Sequence, residues 1–128
     1  MIPDNKKRGE WAEAHFIADA LMHGWQIFSP HGESGPYDVI IAKGVMMHTI
    51  QIKSTFGSST TRSKWTVSRG SNHNKSYHRG VDFFAFYCNH TKVWRFIRQS
   101  RIAGRKTYSI RYDENKTKNN WHELENND

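Results

Sequence analysis

Apolar positions fall into one helical run followed by a series of short alternating ones. From Gly9 to His23, Ala14, Ile17, Ala18 and Leu21 recur at helical spacing and Gly24 ends the run, which predicts a helix. Glu10, Ala14, Ile17 and Leu21 fall at i, i+4, i+7 and i+11, so the pattern puts Glu10 at the open end of the core-facing stripe and turns Asp19 toward water. Trp25 to Phe28 reads as a short strand closed by Ser29-Pro30, and His31 to Pro36 as a turn-rich loop. Tyr37 to Ala42 and Met46 to Ser54 read as two strands joined tightly through Gly44-Val45. Phe56 to Ser63 and Arg69 to Arg79 are polar loops around a short strand at Lys64 to Ser68. Val81 to Tyr87, mostly apolar, predicts a central strand paired with Lys92 to Ile97, and Thr107 to Tyr112 a weaker one. A helix followed mostly by strands implies an α+β domain around one mixed sheet.

The 128 residues make one domain, with residues 1–8 and about 121–128 expected to be mobile ends. Five Trp, seven Phe and 36% hydrophobic residues suffice for one modest core. No run of 18 apolar residues exists, which excludes a membrane-spanning helix. MIPDNKKRGEW has no apolar stretch after its basic residues, so no signal peptide is expected. Cys88 is the single cysteine; a reducing, cytoplasmic setting fits.

Charge is segregated. Val39 to Val81 contains no Asp or Glu but carries seven Lys or Arg, equal to the net charge of +7 for the whole chain. A one-sign segment attracts an extended polyanion, and nucleic acid is the usual one; the bland alternative is a solvated basic face. Within it, Ser58, Ser59, Thr60, Thr61, Arg62, Lys64, Arg69, Asn72, Asn74 and Lys75 offer hydroxyls, amides and cations suited to phosphates and base edges. Lys116, Lys118, Asn119 and Asn120 form a second candidate contact.

Chemistry concentrates on the hairpin. In HTIQIKS, Ile50 and Ile52 point to one face, Gln51 and Lys53 to the other. With Gly44-Val45 as the turn, Lys43 opposes Met46 and Asp38 falls opposite Gln51, gathering a carboxylate, an amide and an ammonium. Phosphodiester hydrolysis needs charge stabilised on the phosphoryl group while water attacks, and a hard divalent cation held by oxygen ligands meets that need. Asp38 is the direct ligand candidate, Gln51 a neutral oxygen, Lys53 a cation for developing charge, and Glu10 a water-mediated ligand or proton acceptor. Taken singly each has an ordinary structural use; their combination with an acid-free basic stretch favours chemistry.

In Gly9-Glu10, Gly35-Pro36-Tyr37-Asp38 and Gln51-Ile52-Lys53 the chain resembles the PD-(D/E)XK nuclease superfamily. Its group I intron-associated homing endonuclease branch, found in phages and bacteria, carries Gln where most members have a second acid, as Gln51 does here. That branch is also similar across Val81–Tyr87, Val93–Ile97 and Ile110-Arg111 with Asn115 to Asn120. Archaeal-type Holliday junction resolvases share the Gly-Pro-x-Asp strand and the Lys53-Ser54-Thr55 run, but normally keep Glu two residues before the Lys. The resemblance implies a restriction-endonuclease-like core with the first helix packed on a mixed sheet. It implies an active site of Glu10, Asp38, Gln51 and Lys53, with Asp38, Gln51 and Glu10 on Mg²⁺ (Mn²⁺ as substitute). The loss of an acid favours a single ion or a second weak one. It further implies a sequence-specific cutter of double-stranded DNA, self-associating as a dimer or tetramer, with no small-molecule substrate. A junction-resolving enzyme and a catalytically inactive DNA-binding module are the alternatives.

Overall fold

The computed structural model describes residues 4–32, 35–55, 62–66, 80–89, 91–105, 107–111 and 121–126, the side chains of 62–66 and 109–111 excepted. Helix α1 spans Asn5–Met22. It starts earlier than the apolar pattern suggests because Asp4 caps it, its Oδ1 accepting from the Lys7 amide at 2.9 Å. Gly24, at φ +89°, ends it in the left-handed conformation that a side chain would resist.

Strands β1 (Gln26–Phe28), β2 (Val39–Lys43), β3 (Met46–Thr55), β5 (Phe83–Cys88) and β6 (Val93–Arg98) form a sheet in the order β1-β2-β3-β5-β6. Only β3 and β5 run parallel; the other neighbours are antiparallel. The sheet is therefore mixed, as expected. Lys43 opposes Met46 across a two-residue turn, where Gly44 takes φ +61° and Val45 does not turn positive. That is the pattern of a type II′ turn, which matches strand twist. The parallel junction is stitched by Thr49 and Asp82: the Thr49 amide donates to Asp82 Oδ2 at 2.9 Å, and the Asp82 amide donates to the Thr49 carbonyl at 3.0 Å. Strand β4 (Arg62–Thr66) pairs with β7 (Thr107–Arg111) in a separate ribbon, and a short α2 (Gln99–Ile102) follows β6.

Two cores flank the sheet. Between α1 and the sheet lie Phe16, Ala20, Trp25, Val39, Ile41, Ile50, Phe83, Ala85, Tyr87, Trp94 and Phe96. The opposite face holds Val81, Phe84, Phe86, Cys88, Ile97 and Ile102, with Tyr37 and Tyr108 packed against them. Every residue of β5 is buried, as a central strand covered on both faces must be.

Three expectations change. The buried stripe of α1 is Ala12, Phe16 and Ala20, flanked by Trp11 and Ile17, while Ala14 and Ala18 are exposed and Leu21 is 57% exposed. Aromatic rings carry more apolar area than Leu21, so they set the helix's rotation. That rotation also moves Asp19 out of full solvent. It lies three residues after Phe16, where its Oδ2 accepts from Trp94 Nε1 at 2.9 Å and faces His15 Nε2 at 3.3 Å. Finally, the chain near its end is packed: Trp121–Glu125 forms a 3-10 helix with Trp121 and Leu124 buried. Trp121 stacks on Phe16 and His23, and the Leu124 carbonyl accepts from His48 Nε2 at 2.7 Å. Among the described residues no helix is long and apolar enough to cross a membrane.

Candidate active site

The site begins where β2 begins. The ladder is regular as far as Val39 opposite Ile50. There the Asp38 amide also donates to the Ile50 carbonyl, at 2.8 Å, so two successive residues address one partner. This is the arrangement of a β-bulge, a device that re-aims a side chain at a strand end. Asp38 is half-buried, and its Oδ2 accepts from the Ile52 amide at 2.7 Å and from Gln51 Nε2 at 3.3 Å. The carboxylate thus takes a backbone donor of β3 where the ladder has stopped. Both contacts fall on Oδ2; Oδ1 takes no hydrogen bond from a described residue. Because Gln51 presents its nitrogen to Asp38, its Oε1 is turned away and can serve as a neutral oxygen ligand.

On β3, Ile50 and Ile52 pack toward α1, so alternation sends Gln51 and Lys53 to the opposite face, as the sequence pattern requires. Lys53 is partly buried. Burial pulls its ammonium below the usual lysine range, against the opposing pull of Asp38. Burial likewise pushes the Asp38 carboxyl above the usual carboxylate range, against the Ile52 N–H and the Lys53 charge. Desolvation outweighs the charge partner in each case.

Of the two acids early on the first helix, Glu13 rather than Glu10 borders the cleft beside Asp38. Glu13, with Tyr37, Asp38, Gly35, Pro30 and Ser29, lines an open cleft of about 290 Å³. Glu10 is exposed and is not part of that lining. The difference follows from the rotation of α1. Glu13 lies three residues before Phe16 and borders the core stripe; Glu10 is a further turn away. The signal was present in the sequence as Ala12-x-x-x-Phe16-x-x-x-Ala20, a narrower stripe with larger side chains.

Whether a divalent cation suits these residues rests on the donor set. Among the described residues no three His, Cys, Asp or Glu side chains group together as metal ligands. Two carboxylates, from Asp38 and Glu13, and one amide oxygen, from Gln51, lie at this end of the sheet. A hard cation such as Mg²⁺ is commonly held by one or two carboxylates, with water and substrate phosphate completing its shell. The donor set fits that pattern, and the cleft has room for about ten waters at roughly 30 Å³ each.

The expected DNA contacts fall largely outside the described residues: Ser58, Ser59, Thr60, Thr61, Arg69, Asn72, Asn74, Lys75, Lys116, Lys118, Asn119 and Asn120. For Arg62 and Lys64 only the backbone is described, in β4.

Residues 3–125 match the family model of the PD-(D/E)XK endonucleases. No curated protein matches the chain. Among solved structures the fold is similar to a bacterial homing endonuclease, with a TM-score of 0.70 and 18% identity over 92% of this chain and 83% of that one. It is also similar to the Holliday junction resolvase Hjc of Archaeoglobus fulgidus, with a TM-score of 0.55 and 14% identity over 81% of this chain and 84% of that one. The matched span covers nearly the whole chain, including α1, the hairpin and the five-stranded sheet: the chain belongs to the PD-(D/E)XK endonuclease family.

Proposed function

We propose that the protein is a metal-dependent, sequence-specific endonuclease of the homing type that hydrolyses phosphodiester bonds in double-stranded DNA, with Mg²⁺ as cofactor and Mn²⁺ as a substitute. The observation that carries this reading is the joint placement of Asp38, Gln51 and Lys53, with Asp38 tied to the Ile52 amide at 2.7 Å. Asp38 Oδ1, Gln51 Oε1 and Glu13, in place of Glu10, would hold the ion. When bound, such a cation polarises phosphoryl oxygens and acidifies water. Lys53 sits on the same face as Gln51 and supplies a compact donor to the attacking water or to the charge growing on the phosphoryl group. Tyr37 walls the cleft beside Asp38.

The homing reading is preferred to junction resolution because Gln51 stands where resolvases normally keep an acid. Cutting both strands needs two active sites, which a two-fold assembly of identical chains provides, as a dimer or tetramer.

Plasmid cleavage in Mg²⁺ tests the proposal. Asp38→Ala and Lys53→Ala should each lower the rate by about 10³-fold or more. A parent protein that binds DNA yet leaves it intact in Mg²⁺ and Mn²⁺ would instead mark an inactive binding module. Cleavage mapping on genomic DNA, with a four-way junction as competitor, separates homing from junction-resolving activity.

A further inference from the structure

On the active-site face of the sheet a second cation lies level with Lys53. Lys53 on β3 is opposite Phe86 on β5, and Phe86 is opposite Arg95 on β6. The three residues form one row across three strands. Trp94 and Phe96, on either side of Arg95, are both buried in the α1 core, so alternation sends Arg95 to the opposite face with Phe86 and Lys53. Neighbouring strands lie about 4.8 Å apart, which sets the Arg95 and Lys53 backbones about 10 Å apart.

Arg95 is only partly exposed, and its Nε is enclosed with no hydrogen-bond partner among the described residues. Enclosed donors without partners are rare in native proteins, because the group has given up water and received nothing in exchange. A guanidinium is always charged and presents its donors as a planar fork that fits phosphate oxygens. No carboxylate is paired with it among the described residues; the acids of known partner near this sheet, Asp19 and Asp82, are engaged by Trp94 and Thr49. The enclosed Nε stays covered, and it is the remainder of this partly exposed side chain that meets an acceptor arriving with a ligand. Next to a site that would hold a scissile phosphate, that acceptor is another phosphate of the same strand.

We infer that Arg95 binds the DNA backbone beside the phosphate held at Lys53, fixing the register of the cut strand without reading its sequence. The inference rests on the nuclease reading and deepens it by naming a contact outside the polar loops and the tail. A strand carries one phosphate per about 3.4 Å of axial rise, so a separation of about 10 Å spans a few nucleotides. Phe86 between the two cations is stacked at 6.3 Å on Tyr108 of β7, which gives the row a rigid floor.

Binding to two unrelated 30-base-pair duplexes, followed by fluorescence anisotropy in EDTA across a salt series, tests this. Arg95→Gln should reduce the slope of log K against log salt by about one and weaken binding by about tenfold at 0.1 M salt, equally for both duplexes. Arg95→Lys keeps the charge and should keep the parental slope. Lys43→Ala, which removes a cation paired with Glu125 at the far end of the hairpin, should also leave the slope unchanged. An Arg95→Gln slope equal to that of the parent overturns the inference, as does an Arg95→Lys slope as shallow as that of Arg95→Gln. A parent that shows the Arg95-dependent slope but never cuts DNA in Mg²⁺ or Mn²⁺ sinks the nuclease reading and leaves the Arg95 contact standing.

Discussion

The two faces of the central sheet both bury apolar residues but treat their polar groups differently. Toward α1, aromatic rings from Phe16, Tyr87, Trp94, Phe96 and Trp121 touch one another, and two polar ring nitrogens on this face have acceptors. Trp94 Nε1 donates to Asp19 and His48 Nε2 meets the Leu124 carbonyl. On the other face, Asp38 and Lys53 are partly buried and shifted toward their neutral forms, and Arg95 Nε has no partner among the described residues. Both faces bury apolar side chains, but the second also carries partly buried charged groups, whose desolvation costs stability.

The largest expected effect lies on the packed face. Phe16 is fully buried against Trp94, Phe96 and Trp121, so Phe16→Ala should cost about 3–5 kcal/mol in denaturant unfolding. Leu21→Ala, on the stripe that the apolar spacing alone favours, should change stability by about 0.5 kcal/mol or less. Equal losses would mean that α1 is rotated differently from the arrangement described here.

Next in size is the contrast between the two helix acids. Glu13→Gln should lower plasmid cleavage by about 10²-fold, whereas Glu10→Gln should leave the rate within about twofold. Reversed sensitivities would restore Glu10 to the site.

A smaller effect attends the polar seam inside the packed face. Asp19→Ala removes the acceptor 2.9 Å from Trp94 Nε1 and should cost about 1–2 kcal/mol in stability. Asp19→Asn, which keeps an acceptor oxygen, should recover most of that loss; if it does not, the charge facing His15 matters more than the indole bond.

The smallest effect has the opposite sign. Replacing the pair together, Asp38→Asn with Lys53→Met, should raise stability in EDTA by about 1 kcal/mol while abolishing cleavage. The single Asn variant is a poorer test, since it leaves a half-buried ammonium without its counter-charge. The pH profile follows from the two shifts. Asp38 has a folded pKa raised above 3.8, so its cost is present above the raised value and vanishes as pH falls below 3.8. Lys53 has a folded pKa lowered below 10.5, so its cost is present below the lowered value and vanishes as pH rises past 10.5. The gain of the double variant should therefore be greatest between these limits and shrink toward both ends. A gain that is flat with pH would point to packing rather than charge.

Sequence alone determined the order of the first helix and the seven strands, the hairpin turn at Gly44-Val45, the pairing of Lys43 with Met46, and the shared face of Gln51 and Lys53, but not the short helices at Gln99–Ile102 and Trp121–Glu125. Each of these depends on a local rule: strand alternation has a period of two, and a glycine opens a two-residue turn without a steric cost. Family motifs added Asp38 and its neighbours because the spacing along the hairpin is short. Only the tertiary structure decided the rotation of α1, and with it that Glu13 rather than Glu10 borders the cleft beside Asp38, because that angle depends on which side chains bury the most area against a sheet distant in the chain. Tertiary packing alone also decided the extra residue at Asp38, the docking of Trp121 beneath Phe16, and the row that joins Lys53 to Arg95. Each of these results from contacts between segments far apart in sequence, where hydrophobic burial and register act together and no short window of residues contains the answer.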